Sequence, residues 1–262
     1  MPDDTQKPSN QKPSNTNRLC RGFTTVTAIV TGVLVLLVVL AGPLSKSGVL
    51  HYGPALTILM VGAFASLITG LLATLALVCS FRSGEGRSKA LSAGSLVASI
   101  AVAATLWIMA TNAQRVPPIH DITTDIVDPP LFEAVLAVRT PDDNSADYAG
   151  INEVGRFQES AYPDIETVYL MEPVSSVLER AHAAARDMGW DIVAIDEERG
   201  RIEATATTFW FGFKDDVVIR IEAAPGGATA LDIRSASRIG KSDIGANAAR
   251  IRAFLERMND LS

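Results

Sequence analysis

GFTTVTAIVTGVLVLLVVLAG, residues 22–42, contains no Asp, Glu, Lys, Arg or His. Two further stretches share that property, PALTILMVGAFASLITGLLATLALVC at 54–79 and ALSAGSLVASIAVAATLWIMAT at 90–111. Each is about as long as the ~20 residues needed to cross a bilayer core as a helix. Backbone polar groups in hydrocarbon must bond within their own segment, so such runs read as three transmembrane helices. Residues 112–262 have the mixed composition of a soluble domain. The expected class is therefore α+β, with three transmembrane helices followed by an antiparallel sheet that carries helices on one face.

The cations set an expected orientation. Lys7, Lys12, Arg18 and Arg21 precede the first span, and Arg82, Arg87 and Lys89 fill the loop between the second and third. The loop from Pro43 to Gly53 has only Lys46, and the segment just beyond the third span only Arg115. Lys and Arg are retained on the cytoplasmic side, so the amino terminus is expected inside and the carboxy-terminal domain outside. Tyr52 and Trp107 then fall near the outer interface, which suits amphipathic rings. From Asn112 onward there are 15 Lys and Arg against 26 Asp and Glu, a net charge of about −11. That acidity argues against nucleic acid and against adsorption to an anionic membrane surface.

Four segments are expected: a disordered cytoplasmic tail over 1–21, a transmembrane region over 22–111, an extended arm or linker over 112–164, and an extracytoplasmic domain over 165–262. The tail carries a tandem pentapeptide, Gln6–Asn10 and Gln11–Asn15, with no apolar residue to bury. No cleavable signal peptide is expected, because the leader is polar and the apolar run behind it is long enough to remain as a span. Cys20 and Cys79 sit at cytoplasmic membrane edges and read as packing residues; the outer domain has no cysteine, which excludes a disulfide framework or thiolate site there. The spans hold no ionisable group of the kind that marks ion pathways. Small residues four apart, Gly62, Ser66 and Gly70 in the second span and Gly94 and Ala98 beside Ser95 and Ser99 in the third, predict close helix packing. A homo-oligomer built on a leftover small-residue face is an open alternative.

Pro pairs and Asp/Asn runs keep residues 114–164 extended. From Ile165 the periodicities become regular: a strand to Leu170, a helix opening at Pro173 with Val174, Val177, Leu178, Ala181, Ala185 and Met188 on one side and Gly189 past its end, then strands over 190–196, 201–208, 216–222 and 229–238. A last helix is expected to place Ile244, Ala248, Ile251, Leu255 and Met258 on one stripe. The order is β-α-β-β-β-β-α, with one sheet face in the core and the other charged. It resembles the TATA-binding-protein-like arrangement, whose helix-grip relatives hold apolar ligands between sheet and last helix; here that helix is short and the resemblance is architectural only.

Residues 117–125 (PPIHDITTD), Ala161–Pro163, Gly200–Thr205, 211–221 (FGFKDDVVIRI) and 234–243 (RSASRIGKSD) together resemble the family catalogued as domain of unknown function 1499, over roughly Arg115 to Leu255. The resemblance supplies no activity. The membrane half resembles bacterial members with several spans, which implies an inner-membrane protein with its domain in the periplasm.

Three constellations compete as sites. Arg234, Arg238, Lys241, Ser242 and Asn247, with Ser235, Ser237 and Asp243, crowd a strand end and the start of the last helix, where N–H groups and Arg forks would cradle an anion. The bland reading is that Ser242 or Asp243 caps the helix while Arg234 and Arg238 pair across the sheet with Asp216 or Glu222. The aromatic and acidic turn Phe209–Asp216 offers Asp215 and Asp216 as a metal or proton-sharing pair, with aromatics that either touch lipid or cover the core. His120 with Asp121, Asp125 and Asp128 could supply metal ligands only if they converge. No G-x-S-x-G, P-loop, H-E-x-x-H or paired C-x-x-C occurs. The expected function is a periplasmic binding or interaction domain on a membrane anchor, its ligand an anionic small molecule or a cell-envelope protein, with no nucleic acid, no resident metal and no cofactor. The enzyme alternative is a metal-dependent or acid/base hydrolase using Asp215, Asp216 and His120.

Overall fold

The computed structural model describes residues 15–261; residues 1–14, with nearly all of the pentapeptide repeat, lie outside the described residues. The chain divides into two compact units, Met1–Met109 and Ala110–Ser262.

The first unit holds α1 (Asn15–Lys46), α2 (Tyr52–Ser83) and all but the last turn of α3 (Gly86–Ala113). All three are long and apolar enough to cross a membrane, and the chain is a membrane protein. Helix α1 begins within the segment expected as tail, so residues 15–21 are helical. Between the helices runs a seam of hydroxyls. Thr24 Oγ1 lies 3.3 Å from Ser80 Oγ, Ser80 Oγ 3.3 Å from Ser92 Oγ, and Thr69 Oγ1 2.9 Å from Ser99 Oγ. Side-chain hydroxyls that bond across helices are a recurrent adhesive where lipid supplies no hydrophobic drive. In the second span the small-residue stripe lies on this seam: Gly62 and Ser66 are buried, and a methyl on Gly62 would come within 2.7 Å of Val38. The third span packs through Ser88, Ser92, Ser95 and Ser99, while Gly94 is exposed with open space around its Cα.

Cys20 and Cys79, expected only to pack, are joined in a disulfide across Cα atoms 5.7 Å apart. Antiparallel α1 and α2 bring the start of one helix beside the end of the other, a pairing that neither cysteine's local sequence announces.

The second unit contains β1 (Asp121–Thr123), α4 (Arg156–Ala161), β2 (Val168–Leu170), α5 (Val174–Asp187), β3 (Asp191–Asp196), β4 (Arg201–Thr207), β5 (Lys214–Ala223), β6 (Thr229–Ser237) and α6 (Ala246–Asp260). Its sheet is antiparallel in the order β1-β6-β5-β4-β3, and β2 pairs with the other end of the β6 edge used by β1. The β3–β4 turn requires its glycine: Gly200 has φ +60°, and a Cβ there would lie 2.1 Å from the Ile221 carbonyl oxygen.

Alternation along each strand sends Ile202, Ala204, Ala206, Val217, Ile219, Ile221, Leu231 and Ile233 to one face, where α5 and α6 cover them with Val177, Ala181, Ala185, Ala248, Ile251 and Phe254. The space between sheet and α6 is filled by those side chains together with Met258 and Trp190, whose ring stacks on Phe254 at 5.5 Å. The buried stripe of α6 is Asn247, Ala248, Ile251, Phe254 and Met258. Ile244, expected on that stripe, precedes the helix with φ +55° and is 57% exposed. The reason is the turn before it: the Asp243 carboxylate accepts from Gly245 N and Asn247 N and starts the helix later than the apolar spacing implies.

Candidate functional site

The second face of the sheet, expected to present charge, is covered. Residues 121–148 lie across it and engage nearly every ionisable group that alternation directs there. Arg234 is fully buried. Its Nε and Nη2 donate to the two Asp121 oxygens at 2.9 and 2.7 Å, Nη1 donates to the Pro130 carbonyl, and Nη2 also to the Ala146 carbonyl. The guanidinium carbon sits 4.6 Å from the Phe132 ring centroid and 5.4 Å from that of Tyr148, a sandwich that suits a planar, weakly hydrated cation.

Asp216 is likewise fully buried. It accepts from Arg238 Nε and Nη2, from Arg139 Nη1 at 2.8 Å and from Thr205 Oγ1 at 3.0 Å. Arg238 completes its set on the Val138 carbonyl. Glu203, 1% exposed, accepts from three backbone N–H groups at 3.0–3.1 Å, those of Glu133 (shared between its two oxygens), Ala134 and Val135, and also from Arg201 Nε. Those three residues open the 3-10 turn Ala134–Val138, so the carboxylate sits where converging N–H groups favour negative charge. Arg220 donates to Asp232, Asp125 and Asp128. Phe132 and Val135 close a small apolar layer on Val218 and Ala236.

The anion cradle expected from Arg234, Arg238, Lys241, Ser242 and Asn247 is therefore not assembled as a surface site. Arg234 and Arg238 point inward onto Asp121 and Asp216. Asn247 is buried, bonded to Ser235 Oγ, Ser237 Oγ and the His120 carbonyl. The start of α6 is capped by Asp243, whose pKa is raised by burial against the lowering effect of the two backbone N–H bonds. Of the five, Lys241 is exposed and Ser242 half-buried. The pairing of Arg238 with Asp216 and the capping by Asp243 are what simple cross-strand and helix-end chemistry anticipated; Arg234 chose Asp121 instead, and Glu222 takes no part.

Nor do Asp215, Asp216 and His120 converge. Neighbours in a strand project to opposite faces, so Asp216 meets Arg238 on the arm side while Asp215 meets Arg250 of α6. Among the described residues no cluster of three or more His, Cys, Asp or Glu side chains could hold a metal ion.

What the fold does bring together is His120 and Lys241. Both line a cleft of about 380 Å3 with Pro118, Asn144, Asp147 and Glu153. His120 Nδ1 is buried with no hydrogen-bond partner among the described residues. Tyr148, stacked near Arg234, is half-buried, and burial, reinforced by Asp121, pushes its phenol up to about 12. Asn144 ties the rim to the sheet, donating to the Ser237 and Gly240 carbonyls.

Sequence reading missed Glu203, Arg139, Asn144 and Arg250. Alternation along β4 placed Glu203 on the polar face, but nothing local indicated that the arm's N–H groups would receive it.

A family model described as a protein of unknown function, DUF1499, matches residues 121–258. The matched stretch runs from Asp121, at the head of β1, to Met258 in α6, and so takes in both the arm and the sheet it covers. No curated protein matches the chain.

Proposed function

The chain belongs to the DUF1499 family of proteins of unknown function, and on that premise we propose that it is a bacterial inner-membrane protein displaying a periplasmic binding domain, with the His120–Lys241 cleft as the place where an anionic group is held. The observation that carries the reading is the contrast between the cations. Arg234 and Arg238 have their donors engaged by the chain's own oxygens, whereas Lys241 is exposed at the rim of a cleft. An ammonium at such a rim attracts a carboxylate or phosphate as a point charge, and the His120 ring beside it carries an Nδ1 with no hydrogen-bond partner among the described residues. The same contrast speaks against hydrolysis, since Asp216 is bonded at both oxygens on one face of the sheet and Asp215 is paired with Arg250 on the other.

Stabilisation of the detergent-solubilised chain by inorganic phosphate tests the site. A ligand at 100 times its Kd adds about 2.7 kcal/mol, so the wild-type melting temperature should rise with phosphate, and Lys241→Ala should abolish the rise while leaving the unliganded melt in place. A wild-type melt that phosphate does not move overturns the anionic ligand, and the domain then serves a protein partner.

The orientation rests on Arg18, Arg21, Arg82, Arg87 and Lys89 gathering at one end of the spans. A reporter active only in the periplasm should work when fused after Ser262 and fail when inserted between Arg82 and Lys89. With that topology the Cys20–Cys79 pair faces the cytoplasm, where thiols are kept reduced, so the bond that joins them in the structure should form only on oxidation. A permeant maleimide added to intact cells should label both, and oxidation after lysis should prevent the labelling. The reverse reporter pattern would place the domain in the cytoplasm.

A further inference from the structure

We infer that the β4–β5 hairpin tip is a lipid-contacting element. Between Thr207 and Lys214 the chain runs Thr208-Phe209-Trp210-Phe211-Gly212-Phe213. The tip is a built structure. Thr208 N donates to the Phe213 carbonyl and Phe213 N to Thr208 Oγ1, while Gly212, at φ +72°, donates its N–H to the Thr208 carbonyl. Phe211 is buried, stacked on Phe213 at 5.1 Å and meeting Trp210 edge-on at 5.1 Å. That anchored ring pair holds the tip in shape and leaves Phe209 90% exposed at its apex. Phe211 is thus buried in the core and Phe209 is exposed.

The topology says which surface is at hand. In this unit the β4–β5 tip, the end of β6 and the start of β1 share one end of the sheet, since Lys214 pairs with Thr207, its carbonyl accepts from Arg238 N, and Asp121 pairs with Ala236. The chain also enters the unit there: the His120 and Ile119 carbonyls accept from Ser237 N and Asp243 N. The six residues from Ala113, the last of α3, to Ile119 can extend no further than about 20 Å. This end of the sheet is thus the one joined to α3 by a short connection. Ile244 is a further exposed apolar residue at this end of the sheet. It stands in the loop that bonds Ile119, 57% exposed, in a backbone conformation that β-branched residues avoid.

Trp and Phe favour the boundary between headgroups and acyl chains, and a pair of such rings on a tethered domain needs little affinity, because the tether keeps local lipid concentration high. The exposed charges at this end are mixed, Arg115, Lys214 and Lys241 against Asp142 and Asp147. The contact is accordingly apolar and does not require anionic lipid.

The test uses the full chain reconstituted in phosphatidylcholine vesicles, with Cys20→Ser and Cys79→Ser and a fluorophore on Lys214→Cys beside the tip, or on Glu198→Cys in the β3–β4 turn at the opposite end of the sheet. A shallow spin-labelled phosphatidylcholine should quench the label at 214 several-fold more than the label at 198. Adding Phe209→Ser and Trp210→Ser should bring 214 down to the level of 198, with the near-ultraviolet signal of Trp190 stacked on Phe254 retained as proof of the fold. Equal quenching at 214 and 198, or quenching at 214 that survives the double substitution, overturns the inference. Neither outcome bears on phosphate binding at Lys241.

Discussion

Replacing Arg234 with Met should lower the melting temperature of the carboxy-terminal unit by on the order of 10 °C. Removing one partner of a buried ion pair costs about 3–5 kcal/mol, because the charge left behind is neither solvated nor matched, and in a unit of this size each kcal/mol shifts the melt by roughly 2–4 °C. Asp121 would be that stranded charge, 3% exposed and bonded at both oxygens to Arg234. The Pro130 and Ala146 carbonyls would lose donors as well. Combining Arg234→Met with Asp121→Ala removes the orphaned carboxylate, so the double variant should melt no lower than Arg234→Met alone. Circular dichroism of the three proteins measures this, and a melt within a degree of wild type for Arg234→Met would mean that the guanidinium is not part of the fold's support.

Glu203→Gln should detach the arm without a change in size. The carboxylate receives the N–H groups of three consecutive residues, one of them shared between its two oxygens. A primary amide offers one oxygen and turns two hydrogens of its own toward the remaining donors. Hydrogen bonds to a charged group are worth about 1.5–3 kcal/mol, and each buried donor left unmade costs about 1–3 kcal/mol, so a loss of roughly 3 kcal/mol is expected. The effect should be local as well as global. Amide exchange over residues 131–138 should accelerate more than exchange in β5, because the Phe132 and Val135 layer is too small to hold the segment alone. Uniform acceleration across the sheet, or none, would show that the arm is held by other means. Taken with Arg234, the result would establish that the polar face is an internal ionic layer, with the arm as its second wall.

Much of this protein follows from sequence alone, and the reason is that local rules decide those parts. Length and apolarity fix the spans, because unpaired backbone groups cannot remain in hydrocarbon. The period of two fixes which residues of β4, β5 and β6 face α5 and α6, and Pro173 and Gly189 bracket α5 closely. Even Asp243 as a helix cap is a short-range matter. Other features depend on residues that are distant in the chain, and these the tertiary structure decided. Whether a charged sheet face meets water or a second layer depends on where a Pro-rich arm comes to rest, and Asp121 lies 113 residues before Arg234. The choice of partner is a competition between several carboxylates of equal chemistry, won by the one that register places opposite: Asp121 is paired with Ala236 and so stands diagonal to Arg234. Asp215 and Asp216 look alike as neighbours in sequence and are parted by the strand pleat. Cys20 and Cys79 meet because two helices run antiparallel. In each case sequence supplied the chemistry of the groups, and the packing of distant segments determined which of them were left for solvent, ligand or lipid.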